Sequence, residues 1–157
     1  HCVSPRMVSE LDYVMVSANH YHLPWTSQPE GDDPRTVAEH YLAMFEYACS
    51  LEFVDVIAHP LTDLSGLHDL SGLDALDSSR LIRAARAARE NGVAIEDDEV
   101  GFRLRFYSLC RQEGVKFAIG SDSHSLSGIG RTRLLGRLID TLGLGDDDIW
   151  LPAGCSL

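Results

Sequence analysis

Four short apolar runs punctuate the chain, at residues 12–17 (DYVMVS), 54–58 (VDVIA), 93–95 (VAI) and 115–119 (VKFAI), and helix-like stretches separate them. Such runs read as buried strands, and strands that alternate with helices build a parallel sheet or an α/β barrel. The helical stretches carry their own punctuation. Residues 34–51 open with Asp33 as N-cap and Pro34 in the first position, and place Val37, Tyr41, Phe45 and Ala48 on one stripe. Residues 78–91 form a basic helix closed by Gly92, and residues 102–113 a helix closed by Gly114, both as left-handed caps. Residues 131–142 are the last clear helix. Residues 62–77 read as a long polar loop with at most a short helix, and the tail from Gly145 is acidic and then apolar, free to dock or fray.

The bulk numbers narrow the class. With 157 residues, 45% of them hydrophobic and 24% charged, the chain is expected to be one globular domain spanning residues 1–157. Asp and Glu number 24 against 13 Lys and Arg, a formal net charge of −11. So acidic a surface disfavours nucleic acid and anionic membrane. No apolar run approaches membrane-spanning length. Cys2, Cys49, Cys110 and Cys155 are far apart and make no CxxC pair. Cys49 and Cys110 fall in apolar helical patterns, where a free thiol behaves as a small hydrophobe, so reduced thiols and a cytoplasmic setting are expected. The chain opens on His1 and not on Met, which reads as a fragment or a processed piece.

Polar residues gather at the carboxyl ends of the runs. The first leads into Ser17-Ala18-Asn19-His20-Tyr21-His22, the second into His59-Pro60, the third into Glu96-Asp97, and the fourth into Gly120-Ser121-Asp122-Ser123-His124. Loops at the carboxyl ends of parallel strands build the active sites of α/β barrels. Imidazole and carboxylate together suit Zn²⁺, Mn²⁺ or Fe²⁺. Each piece has a plainer reading. A lone strand-end histidine is more often a hydrogen-bonded loop residue, the acidic run from Glu96 a solvated turn, and Asp122 the N-cap of a turn. Recurrence at four strand ends is what favours the metal reading. His40 and His68 fit as an exposed helix residue and a loop residue.

The words Val56-Ile57-Ala58-His59-Pro60 and Gly120-Ser121-Asp122-Ser123-His124, with Leu11-Asp12-Tyr13-Val14 leading to Ser17 and His20 and with Gly128-Ile129-Gly130 further on, resemble the later motifs of the PHP (polymerase and histidinol phosphatase) family. The resemblance runs from about Leu11 to Leu144. It implies the carboxy-terminal portion of a distorted seven-stranded (β/α) TIM-like barrel, lacking the amino-terminal strands and their His-x-His ligands. It also implies metal-dependent hydrolysis of a small phosphorylated substrate, histidinol-phosphatase-like, with two or three Zn, Mn or Fe ions in the intact site. His59, Asp122 and His124 carry over as metal ligands. The ligand after the first run falls in a word one residue longer than the family's Ser-x-His, so His20 and His22 both stay open, with His20 favoured. The spare imidazole would act as general acid. Glu96 matches a family Glu, although Asp97-Asp98 depart from the pattern. Arg35, with Arg131 and Arg133, is a candidate for the substrate phosphate. Two alternatives stand beside this reading, an amidohydrolase-type metal hydrolase and a catalytically incomplete scaffold module, and for this chain alone enzyme activity is left open.

Overall fold

The apolar runs become four parallel strands, β1 (Met15–Val16), β2 (Val56–Ala58), β3 (Ala94–Glu96) and β4 (Phe117–Ala118), hydrogen-bonded in the order β1-β2-β3-β4. The structure is a computed structural model that describes residues 5–18, 20–62, 68–96, 104–130 and 133–156. Its helices are α1 (Pro5–Val8), α2 (Pro34–Cys49), α3 (Gly72–Ala75), α4 (Ser78–Glu90), α5 (Leu104–Glu113) and α6 (Arg133–Leu142).

The register sorts side chains onto two faces. Val16, Ile57, Ile95 and Phe117 lie in one row, and all four pack into the large core built with α2, α4, α5 and α6. On the opposite face Val56, Ala94 and Ala118 form a second, smaller cluster covered by Trp150. Because strand side chains alternate, Glu96 shares the face of Ala94 and not that of the helices.

Local chemistry explains the helix ends. The Asp33 carboxylate accepts from the Thr36 N–H at 2.9 Å, so α2 starts where the N-cap and Pro34 dictate. Val37, Tyr41, Phe45 and Ala48 are buried, as their spacing predicts. Gly92 and Gly114 adopt φ 67° and φ 82°, as expected of left-handed caps.

Three of the strands are shorter than their apolar runs, and β3 is as long as its run but shifted by one residue. Before β1 the Val14 N–H donates to the Asp55 carboxylate at 2.8 Å, and the Val14 carbonyl accepts from both Asp55 and Val56. A side chain thus replaces the ladder there. β3 reaches Glu96, which therefore belongs to the strand and not to the turn after it. The short α1 was not foreseen, and residues 63–67, 97–103, 131 and 132, over which some expectations ran, lie outside the described residues.

The tail docks. Ile149 pairs in parallel with Phe117, the Trp150 N–H donates to the Phe117 carbonyl at 2.8 Å, and Lys116 reaches the Asp147 carbonyl. Cys49 and Cys110 are buried free thiols. Burial pushes Cys49 up to about 12 and Cys110 well above the usual thiol range, which disfavours the thiolate at both. Among the described residues no helix is long and apolar enough to cross a membrane.

Candidate functional site

Past the end of β2 the chain turns sharply. His59 and Leu61 both lie in the left-handed region, at φ 33° and φ 60°. For residues with a Cβ such backbone costs on the order of 1–3 kcal/mol and persists only where the surroundings hold it. Here the His59 N–H donates to the Glu96 carbonyl of β3, and the Thr62 N–H donates to the His59 carbonyl at 3.3 Å. From α5, the buried Tyr107 hydroxyl donates to the Pro60 carbonyl at 3.2 Å. His59 itself is 5% exposed.

The turn after β4 has the same character. Asp122 is exposed and has φ 37°, which makes it the third non-glycine residue with positive φ among the described residues. Just before it, Gly120 passes against the Glu96 side chain, and a Cβ at Gly120 would overlap the Glu96 carboxylate. Glu96 is 2% exposed, so a carboxylate is buried between the ends of β3 and β4.

The loop after β1 supplies the imidazoles. Tyr21, between His20 and His22, is buried and stacks on Tyr41 of α2 with centroids 4.3 Å apart. His68 lies edge-on to Tyr21 at 5.3 Å, with its Nδ1 3.2 Å from the Tyr41 hydroxyl. The Thr26 hydroxyl donates to the His20 carbonyl, and the Gln28 amide to the Tyr21 carbonyl. With Tyr21 turned inward, His20 is half-buried and His22 exposed. The His20 ring lies 5.2 Å from that of His22 and 5.9 Å from that of His59. Burial, then the neighbouring His59 and His22, lower the His20 pKa, and the Asp122 charge opposes them. His20 thus sits within the electrostatic reach of residues from three different loops.

The rim therefore gathers His20, His22, His59 and Asp122, with Glu96 entering beneath the Asp122 turn. His124 stands exposed two residues further on, before the short 3₁₀ turn Leu126–Gly128. Arg35 is exposed in the first turn of α2, where its charge acts on Asp33. Arg131 and the side chain of Arg133 lie outside the description. His40, expected on an exposed face, is instead half-buried, with Nε2 3.0 Å from the Ser27 carbonyl and its ring 5.7 Å from Tyr21. The fold of the 20–28 loop onto α2 covers it.

The donors fit a divalent metal in kind. Two imidazoles on one Zn²⁺, at about 2.1 Å and near tetrahedral angles, would have centroids roughly 5 Å apart. The His20–His59 separation is close to that. Among the described residues, however, no three His, Cys, Asp or Glu side chains are already grouped to hold one ion. Sequence reasoning passed over Gly120, Tyr21 and Tyr107. The first was hinted at by its place ahead of Asp122 and the second by its place between two histidines. The third, distant in sequence, gave no hint.

No family model matches the chain. A curated protein of Acetivibrio thermocellus named "Probable phosphatase" is 29% identical over 121 residues, which cover 71% of this chain and 45% of that protein. The chain thus spans less than half the length of the curated relative it matches.

Proposed function

We propose that the chain supplies part of the active site of a divalent-metal-dependent phosphoesterase of the histidinol-phosphatase-like, PHP kind. The observation that carries the proposal is backbone strain at His59 and Asp122. Each follows a parallel strand, each sits in a motif word of that family, and each holds a left-handed conformation beside His20. Strain of this sort collects at functional sites. The relative named "Probable phosphatase" supports the reaction class.

In this reading the four strands in sequential order, with the main helices packed on one face, are an arc of a (β/α) barrel whose remaining strands lie elsewhere in the protein. His20, His59 and His124 would offer imidazole nitrogens, and Asp122 and Glu96 carboxylate oxygens. When bound, two or three Zn²⁺, Mn²⁺ or Fe²⁺ ions would supply water activation near neutral pH and charge neutralisation at the phosphoryl group. His22, exposed at the rim, would protonate the leaving alkoxide. Arg35 is assigned to the substrate phosphate on charge alone. Histidinol phosphate, a nucleotide and a simple phosphomonoester all suit such a rim.

One observation favours a second reading, a PHP-like scaffold without activity: among the described residues no three donors already form a cage. Asp122→Asn in the full-length protein separates the two. It keeps the shape and the tolerance for left-handed backbone but removes the charge. Hydrolysis of p-nitrophenyl phosphate with added Mn²⁺ should fall by at least about 10²-fold, the scale of losing an electrostatic partner in a catalytic site. Glu90→Gln, at the far end of α4, should change little. Equal turnover in wild type and Asp122→Asn at unchanged metal content would put the scaffold reading in front.

A further inference from the structure

We infer that Tyr107 is a positioning residue for His59, acting through the carbonyl of Pro60. This rests on the proposed metal-binding role of the rim. Tyr107 lies on α5, is 1% exposed, and donates its hydroxyl proton to the Pro60 carbonyl at 3.2 Å. It stands on the helix side of the sheet and belongs to the main core.

The geometry of the turn gives that bond its leverage. Pro60 has no N–H, so its carbonyl is its only backbone hydrogen-bonding group. That carbonyl also fixes the plane of the peptide joining Pro60 to Leu61, and the φ of Leu61 is defined across this plane. Leu61 is held at φ 60° and His59 at φ 33°, so two strained residues flank the atom that Tyr107 grips. Leu61 is 3% exposed and packs in the core. Without the hydroxyl the peptide plane loses one of its restraints, Leu61 can shift away from the left-handed region, and the strain at His59 relaxes with it. The imidazole then loses its set distance from His20. The Glu96 carbonyl holds the His59 N–H from the β3 side, so His59 is held from two elements, and Tyr107 is a clamp that comes from outside the sheet.

Tyr107→Phe in the full-length protein removes one buried oxygen and keeps the ring. Three measurements are made on it: amide hydrogen exchange in metal-free protein, calorimetric titration with Mn²⁺, and thermal melting. His59→Ala is titrated in parallel. Exchange at His59 and Thr62 should quicken about tenfold, the scale of one lost hydrogen bond, while the Ile95 amide in β3 is unchanged. Mn²⁺ affinity should fall about tenfold, as when a partner that orients a ligand is removed. Unchanged exchange at residues 59–62 overturns the inference, even if the melting temperature drops, because Tyr107 would then be an ordinary core residue. Where His59→Ala weakens Mn²⁺ binding, local loosening in Tyr107→Phe with wild-type Mn²⁺ affinity overturns it too. If wild type and His59→Ala bind Mn²⁺ equally, or neither binds it, the metal reading fails, and the exchange data alone decide whether Tyr107 holds the turn.

Discussion

At Gly120 the backbone runs so close to the Glu96 side chain that a single added methyl group would overlap it. Gly120→Ala must therefore displace a buried carboxylate or push the Asp122 turn off β4. Overpacking of this kind costs about 1–3 kcal/mol, which for a chain of this size lowers the melting temperature by roughly 3–10 °C. Gly31→Ala, where nothing lies within 4 Å, is the matched control and should melt like wild type. Equal melting of both variants would show that Glu96 moves aside freely and is not fixed by Gly120. At this scale the sequence was readable for residue type and silent on contact. The histidines, Asp122 and Glu96 stood out because few side chains bind metal. That Gly120 had to be small depends on a neighbour 24 positions earlier in the chain.

Between elements, one cation ties two helices together. Arg80 of α4 donates to Glu39 at 2.7 Å and makes a two-pronged pair with Glu46, at 2.6 Å and 3.1 Å, both acids lying on α2. The guanidinium side chain is 10% exposed, whereas Glu39 and Glu46 are 41% and 28% exposed. Water screens the acids, so the loss in Arg80→Ala should fall below that of a fully buried pair, at about 1–3 kcal/mol. Urea unfolding of Arg80→Ala against wild type measures it, and a difference under about 0.5 kcal/mol would mean the pair is a surface decoration. Helices were legible at this scale because their signals are local. Asp33, Pro34, Gly92 and Gly114 each act on the nearest turn. Strand lengths were not, because a ladder depends on its neighbour: residues 12–14 look like strand until Asp55 takes the Val14 N–H. The fate of the tail was equally hidden, since Ile149 becomes strand-like only against Phe117.

In the molecule as a whole, β1 has a hydrogen-bonded neighbour on one side only among the described strands. Met7, Leu11, Tyr13 and Met15, on or leading to that edge, are 53%, 52%, 43% and 41% exposed. An open parallel edge with apolar side chains is a template for association. The 157-residue chain on its own is expected to self-associate at micromolar concentration, with a sedimentation-velocity mass above one copy. A single monomeric species with a sharp thermal transition would show that the edge is harmless. The α/β class was legible from the alternation of apolar runs and helices. The strand order was not, because periodicity says which residues are buried and not which strand lies beside which.

That order has a consequence for how the molecule is born. Each strand pairs with the one made just before it, and the tail at Ile149 pairs with β4, the last of the four. At the ribosome's pace of about 5–20 residues per second, the sheet can lengthen by one strand every few seconds. On the growing side the edge of each new strand is covered as the next one emerges, whereas the β1 edge stays open among the described strands from the moment it is made.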